Sequence, residues 1–353
     1  MSKLHKLRNL LQQNEVDAIL VTNPFNRRYI TNFTGTAGSA LITDREAFFI
    51  TDFRYVDQAN EQAKDFTVVE HHGPISDKIS ELLDKNGIKL LGFEEEHVTY
   101  AQHSLYEEKF SARLIATKGM IESLRIVKSA DEIEILKQAA KIADEAYGHI
   151  LNHLRPGMTE IDIANELEFF MRKKGATSSS FDIIVASGYR SALPHGVASE
   201  KKIETGELVT LDYGALYKGY CSDTTRTVAV GEVSDDLKKI YETVQEAQER
   251  AVRGIKPGMT GKEADALARD YIEQEGYGDY FGHSTGHGIG LEVHEGPALS
   301  LRSHIELQKN MVVTVEPGIY IPEVGGCRIE DDIVLTESGN ERLTHATKQF
   351  IQV

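Results

Sequence analysis

The sequence predicts two α/β domains in series, the second built from a duplicated half. Three observations lead there. Residues 1–122 alternate short apolar strands with amphipathic helices. A capped helical pattern opens at Ser129 and begins a second domain. Two stretches about a hundred residues apart then repeat the same turn, helix and strand signals.

The chain opens with MSKLHKLRNLLQQNEVDAILV, where Leu4, Leu7, Leu10 and Leu11 recur at helical spacing between charges. This is an amphipathic helix leading into a strand, not a signal peptide. No apolar run approaches the ~18 residues of a membrane span. DAILVT, SALITD, AFFITD, FTVVE, KLLGF and ARLIA read as strands, and RYVDQANEQAK and ISDKISELLDKNG as helices among them. The glycines of NFTGTAG fit a tight turn, because neither nucleotide-loop pattern, GxxxxGK[ST] or GxGxxG, is present.

Ser129 and Glu132 form a capping box ahead of Ile133, Leu136, Ala140, Ala143, Tyr147, Ile150 and Leu154. The repeat follows. LRPGMTEIDIANELEFFMRKKGA begins at Leu154 and IKPGMTGKEADALARDYIEQEGY at Ile255, with the two PGMT runs 101 positions apart. In each, Pro-Gly turns the chain, Thr can cap, and an amphipathic helix follows. Downstream, ELVTLDYG (207–214) resembles MVVTVEPG (311–318), which pairs Asp212 with Glu316. GYCSD against GGCRIE then sets Asp223 near Glu330 with a one-residue slip. Two repeats are too few for a solenoid, so the halves are expected to pack about a pseudo-two-fold axis.

Composition narrows the function. The 353 residues carry 55 acids against 39 bases, a net charge of −16, which argues against nucleic acid or an anionic membrane as partner. Two cysteines, Cys221 and Cys327, make no disulfide framework and fit a reducing compartment, hence the cytoplasm.

Carboxylates carry the chemistry. LVTLDYGALYKGYCSDTTRTVAV reads as a hairpin with its turn at Tyr217–Lys218, which would set Asp212 directly opposite Asp223 at Cβ separations of ~5 Å. Facing carboxylates repel unless a cation lies between them; a solvated loop pair, or Arg226 as counter-ion, is the alternative to a metal. Glu316 and Glu330 both follow apolar stretches and so are expected on buried strands, where carboxylates need charge partners or metal. Four carboxylates and one imidazole suit two divalent cations about 3.5–4 Å apart, and an oxygen-rich set suits Mn²⁺ better than a thiolate-type zinc site does. HSTGHGIGLEVHE (283–295) holds three histidines, His283, His287 and His294, but Gly286, Gly288 and Gly290 argue against a helical zinc motif and for a Gly-rich turn.

LDYG…YCSDTTRT, GHSTGHGIGLEVHE, VVTVEPGIY and GCRIEDD closely resemble the pita-bread metallopeptidases, and among them the Xaa-Pro group, prolidase and aminopeptidase P. SLRIVKSADEIEILKQAA and ITDFRY extend the resemblance over essentially the whole chain. It implies a creatinase-type α/β domain over 1–122 and an α+β pita-bread catalytic domain with internal pseudo-two-fold duplication over 123–353. It also implies a metal centre in which Asp212 binds one ion, Asp223 and Glu330 bridge both, and His287 and Glu316 complete the second. A water between the ions would be the nucleophile, with Glu316 also shuttling a proton. The resemblance makes His294 the group that hydrogen-bonds the scissile carbonyl and His195 and His283 pocket walls. Arg328 would pair with the bridging carboxylates, and Tyr320 is a weaker candidate for the same surroundings. The implied metals are two Mn²⁺ ions, with Co²⁺ or Zn²⁺ also compatible. The implied substrates are small peptides with proline second, and the implied assembly is a homodimer.

Within the same resemblance, a methionine aminopeptidase would normally lack the N-terminal domain. Creatinase-like hydrolases and non-enzymatic relatives typically lack ligands, whereas all five are present here. Some prolidases carry an Arg four residues after the equivalent of His294. Here that position is Ala298, leaving Arg302 or a partner subunit to supply a cation, and longer peptides remain open. Asp52, Arg54 and Tyr55 are candidates for a wall that limits substrate length, or for a plain structural turn.

Overall fold

In a computed structural model describing residues 2–353, the chain forms two compact units, one ending at Arg125 and the other spanning Ile126–Val353. The sequence suggested a division after residue 122.

The first unit is a six-stranded sheet with helices. Its strands are β1 (Ala18–Val21), β2 (Ser39–Thr43), β3 (Ala47–Thr51), β4 (Thr67–Glu70), β5 (Leu90–Glu94) and β6 (Arg113–Thr117). They lie in the order β4-β3-β2-β1-β5-β6. β1, β2 and β3 pair antiparallel, while β4, β5 and β6 add in parallel. All six match the apolar runs read from sequence. The helices are α1 (Lys3–Gln13), α2 (Pro24–Thr31), α3 (Val56–Gln62), α4 (Ile75–Lys85), α5 (Tyr100–Lys109) and α6 (Glu122–Arg125). Leu4, Leu7 and Leu11 bury the apolar stripe of α1. The Asp52–Arg54 segment is a local turn: Asp52 Oδ1 accepts hydrogen bonds from the Arg54 amide (3.0 Å) and Nε (2.8 Å).

The second unit opens with α7 (Ala130–Leu151), capped by Ser129 and Glu132 as the sequence indicated. α8 (Glu160–Lys173), α9 (Asp235–Gly254) and α10 (Gly261–Gln274) follow. Its first-half strands are β7 (Ser178–Ser179), β8 (Ile184–Ser187), β9 (Glu207–Tyr213), β10 (Ala215–Tyr217), β11 (Tyr220–Cys221) and β12 (Thr224–Val230). Those of the second half are β13 (Gly286–Gly288), β14 (Glu295–Leu299), β15 (Val312–Val315), β16 (Gly318–Ile321), β17 (Gly325–Arg328), β18 (Asp331–Leu335) and β19 (Asn340–Arg342).

The repeat is visible in the backbone. Thr159 and Thr260 each cap a helix through a capping box. Gly157 and Gly258 take φ of 90° and 88° in the turns before them, and Gly175 and Gly276 take 107° and 86° after them, a conformation open mainly to glycine. Each half has its own core. Leu167, Val185, Leu211 and Val228 belong to the first, and Val244, Ala268, Val313 and Ile333 to the second. No helix among the described residues is long and apolar enough to cross a membrane.

Candidate metal centre

The first hairpin sets two carboxylates on one face. Its tight turn lies at Lys218–Gly219, where φ is 48° and 80°, as a two-residue hairpin turn requires. The sequence had suggested Tyr217–Lys218. Because the turn comes one residue later, Asp212 stands opposite Thr225 rather than Asp223. The same register sets Gly214 across from Asp223. A register change of two residues preserves the face, so Asp212 and Asp223 are diagonal neighbours instead of a directly opposed pair. A side chain at Gly214 would lie 1.8 Å from the Ser222 carbonyl oxygen, so only glycine fits there.

The second hairpin carries the other two. β15 pairs with β18 and β16 with β17 in one continuous register, with Val315 opposite Asp331 and Gly318 opposite Arg328. That register sets Glu316 across from Glu330, and there the ladder opens. The Glu316 amide donates to Thr285 O (2.7 Å) and the Glu330 amide to Thr225 O (3.1 Å), joining the hairpin to the histidine segment and to the first half. Thr225 Oγ1 also donates to Glu330 Oε2 at 2.6 Å. The hairpin registers thus match Asp212 with Glu316 and Thr225 with Glu330. Asp223 and Glu330 each stand immediately before the return strand of their hairpin, β12 and β18.

The glycines around His287 belong to a strand, not to the expected turn. β13 lies between β14 and β15. A Cβ at Gly286 would meet Thr314 O at 2.0 Å, and one at Gly288 would meet Gly296 O at 2.0 Å, so the close approach of three backbones demands them. Between them, His287 Nδ1 lies 3.0 Å from Gly288 O. A carbonyl only accepts, so Nδ1 holds a proton, and Nε2 is the nitrogen a metal would take. Nε2 is 3.2 Å from Glu316 Oε1 and 3.9 Å from Asp223 Oδ2, and the His294 ring lies 4.4 Å from the His287 ring.

These groups share a cavity of about 510 Å³, lined among others by Asp212, Asp223, His287, Glu316, Glu330, His195, His283, His294 and Arg328. The five expected ligands therefore meet here with His195, His283, His294 and Arg328, whereas Tyr320, Arg302, Asp52, Arg54 and Tyr55 are not in its lining. Asp223 and Glu330 are 5% and 1% exposed. Asp212 Oδ1, Asp223 Oδ1 and Glu330 Oε1 are buried without a hydrogen-bond partner. Burial and the neighbouring carboxylates push Asp223 and Glu330 well above the usual carboxylate range. Burial also acts on Glu316, but the hydrogen bond and charge of His287 outweigh it and hold that carboxyl at about 2. Oxygens of Asp223 and Glu330 and a nitrogen of His287 lie within 4.8 Å of one another. Unsatisfied buried oxygens and an imidazole nitrogen at that spacing fit divalent cations.

A model of metallopeptidase family M24 matches residues 134–337, and a creatinase/prolidase N-terminal domain model matches residues 3–127. The chain belongs to metallopeptidase family M24. It is 60% identical to a structure titled Xaa-Pro dipeptidase from Bacillus anthracis, with 99% of each chain covered and a TM-score of 0.99. It is 43% identical to an X-Pro aminopeptidase structure from Thermotoga maritima, covering 98% and 100% of the two chains at a TM-score of 0.92. A Xaa-Pro dipeptidase of Pyrococcus furiosus is 41% identical over 99% of both chains.

Around the centre, this M24 chain supplies groups that fix the ligands' orientation. Arg328 pairs with Asp212, not with Asp223 or Glu330 as the resemblance had implied, because its register position faces the first hairpin. Its Nη1 also donates to Tyr320 Oη (2.8 Å) and Pro194 O (3.2 Å). Tyr320 in turn lies 2.8 Å from His283 Nε2, and His283 Nδ1 lies 2.8 Å from Ser284 O. One consistent direction runs Arg328 to Tyr320 to His283 to backbone. Arg226, the alternative counter-ion, points to the opposite face and pairs with Asp331 at 2.8 Å. His195 is carried by the loop after β8, whose two ends are tied to one buried carboxylate. Glu160 accepts from the Ser187 amide and hydroxyl (2.8 and 2.9 Å), from Arg190 Nε (2.9 Å), and from the Ser199 amide and hydroxyl (3.1 and 2.6 Å).

Asp332 was missed. It is 1% exposed, its Oδ2 accepts from the Asp223 amide at 2.9 Å, its Oδ1 has no partner, and burial above all pushes it up to about 8. Strand alternation was the available signal, since residues 330 and 332 share a face.

Proposed function

We propose that the chain is a metal-dependent exopeptidase that hydrolyses Xaa-Pro bonds at the N-termini of small peptides. The observation that carries this reading is the set of partnerless buried oxygens on Asp212, Asp223 and Glu330. They occur in a metallopeptidase whose relatives are named Xaa-Pro dipeptidase and X-Pro aminopeptidase. Buried carboxylates cannot stay ionised together without compensating cations.

In this reading Asp212, Asp223, His287, Glu316 and Glu330 would hold two divalent ions, with Asp223 and Glu330 serving both. When bound, such ions supply Lewis acidity and lower the pKa of a water at the scissile carbonyl. Glu316, ionised as a metal ligand, would relay the proton of the attacking water to the leaving prolyl nitrogen. His294 sits at the cavity with its pKa lowered, by burial first and then by His287, so its imidazole is neutral near pH 7. A neutral imidazole donates one hydrogen bond, here to the carbonyl oxygen as charge develops on it. His283, oriented by Tyr320 and Ser284, and His195 wall the substrate, and Arg328 holds Asp212 in place.

The oxygen-rich donor set favours Mn²⁺, and we propose a cytoplasmic homodimer as the working form. Substrates longer than dipeptides are a second reading. A dipeptide needs a cation for its carboxylate, yet Arg328 in the cavity wall is committed to Asp212 and Tyr320, and position 298 is alanine.

The test is cleavage of Ala-Pro, Ala-Pro-Ala and Ala-Ala by the Mn²⁺-loaded protein. The two proline peptides should be hydrolysed and Ala-Ala spared. Preference for Ala-Pro-Ala would select the aminopeptidase reading. Inertness toward both proline peptides with Mn²⁺, Co²⁺ and Zn²⁺ would refute the proposal.

A further inference from the structure

Away from the cavity, the end of α7, the turn that follows it and the middle of α8 bring together three side chains with metal-ligand chemistry. His149 lies in the last turn of α7 and His153 in the turn just beyond its end, and their rings lie 4.0 Å apart between centroids. Glu166 reaches them from α8. Its Oε1 is 2.6 Å from His149 Nε2 and 4.0 Å from His153 Nε2. One nitrogen from each histidine and one oxygen from Glu166 all lie within 4.8 Å of one another.

We propose that His149, His153 and Glu166 form a transition-metal site separate from the cavity, one that fastens the end of α7 to α8. Two features prepare it. His153 Nδ1 lies 3.0 Å from the His149 carbonyl oxygen, so Nδ1 holds the proton and Nε2 offers a lone pair toward Glu166. The His149 ring is stacked on Phe170 at 4.2 Å and 17°, which fixes its plane.

In the metal-free protein, His149 Nε2–H donates to the Glu166 carboxylate. For an ion to bind, the neutral ring exchanges tautomer, Nε2 releasing that proton to solvent while Nδ1 takes one up, so that Nε2 is free to ligate and Glu166 turns from hydrogen-bond acceptor to ligand. Tetrahedral coordination at the usual Zn–N and Zn–O lengths needs donor atoms about 3.3 Å apart. The His149–Glu166 contact must widen and the His153–Glu166 contact must shorten. His153, 44% exposed, is free to make that movement. Two imidazoles and one carboxylate select Zn²⁺, Ni²⁺ or Cu²⁺ over Mn²⁺, the reverse of the carboxylate-rich cavity, and water completes the shell.

The test counts zinc. Chelator-stripped full-length protein is titrated with Zn²⁺ by isothermal calorimetry, and bound metal is measured after desalting. The wild type should hold one zinc equivalent more than His153→Ala, and Glu166→Gln should lose the same calorimetric step. Asp223→Ala should keep that step. His153→Ala supplied with Mn²⁺ should retain wild-type peptidase activity. Equal zinc contents in the wild type and both site variants would overturn the proposal, and so would a step that disappears in Asp223→Ala but survives in His153→Ala.

Discussion

At the scale of single residues, the site divides into groups that hold charge and groups that aim it. Asp223 lies at the centre of the first set, diagonal to Asp212 and 3.9 Å from His287 Nε2. Asp223→Ala is expected to remove both metals and at least 99% of activity together, as read by elemental analysis and turnover. A variant with two ions and full turnover would sink the dinuclear reading. His294→Ala is expected to keep both ions while kcat falls by about 10²–10³-fold, the scale of a lost donor to a developing oxyanion. Metal loss in that variant would mean that His287 and His294 have exchanged roles. These residues were legible because quoted motifs carry them. Thr225 and Asp332 lie in the same motifs but did not stand out, because their value comes from contact with Glu330 and with the Asp223 amide, across roughly a hundred residues of chain.

At the scale of elements, the outcome rests on register. Apolar alternation located the strands, but it is silent on which residue of a hairpin faces which. The turn is set by residues able to adopt positive φ, here Lys218 and Gly219. The same silence hid the strand at β13, whose glycines answer to neighbouring backbones instead of to a turn. α2 and α5 escaped notice as well; α5 buries only Tyr106, so it shows little apolar period. Gly318 offers the element-scale prediction. A Cβ there would lie 2.3 Å from the Tyr320 hydroxyl. Gly318→Ala should therefore push Tyr320 away from Arg328 and His283, lowering stability by about 1–3 kcal/mol and reducing kcat in steady-state assays. Unchanged stability and kcat would mean that Tyr320 is not needed to orient its neighbours.

At the scale of the whole molecule, the duplicated halves of the second unit are tied by a buried charge cluster as well as by the site. Asp331 accepts from Arg226 (2.8 Å) on β12, from Lys348 (2.7 Å) near the C-terminus and from Gln248 (3.1 Å) on α9. Burial opposes its ionisation, but Arg226, Lys348 and Arg342 outweigh burial and hold its pKa below the usual carboxylate range. A carboxylate depressed in the folded state stabilises it above the unfolded pKa of about 3.9, and that stability is lost as pH falls through the folded value. Asp331→Asn should cost about 3–5 kcal/mol near neutrality. In thermal melts its deficit should shrink as pH drops below about 4; a deficit independent of pH would contradict the linkage. The repeat itself was readable from the paired PGMT turns, whereas this cluster was not, since Asp331 looked like one more member of an acidic run.

Glu160 has a consequence for how the molecule tolerates change in length. By holding Ser187 and Ser199 on one carboxylate, it makes the segment between them a closed ring of fixed circumference. The entropy of closing a ring grows only slowly with its length. The fold should therefore absorb an inserted residue there with little loss of stability. The histidine delivered by that ring has no such latitude, because each added residue displaces His195 along the chain by up to about 3.3–3.6 Å. In this segment the reach of one imidazole, more than folding, should limit the insertions and deletions the protein can accept.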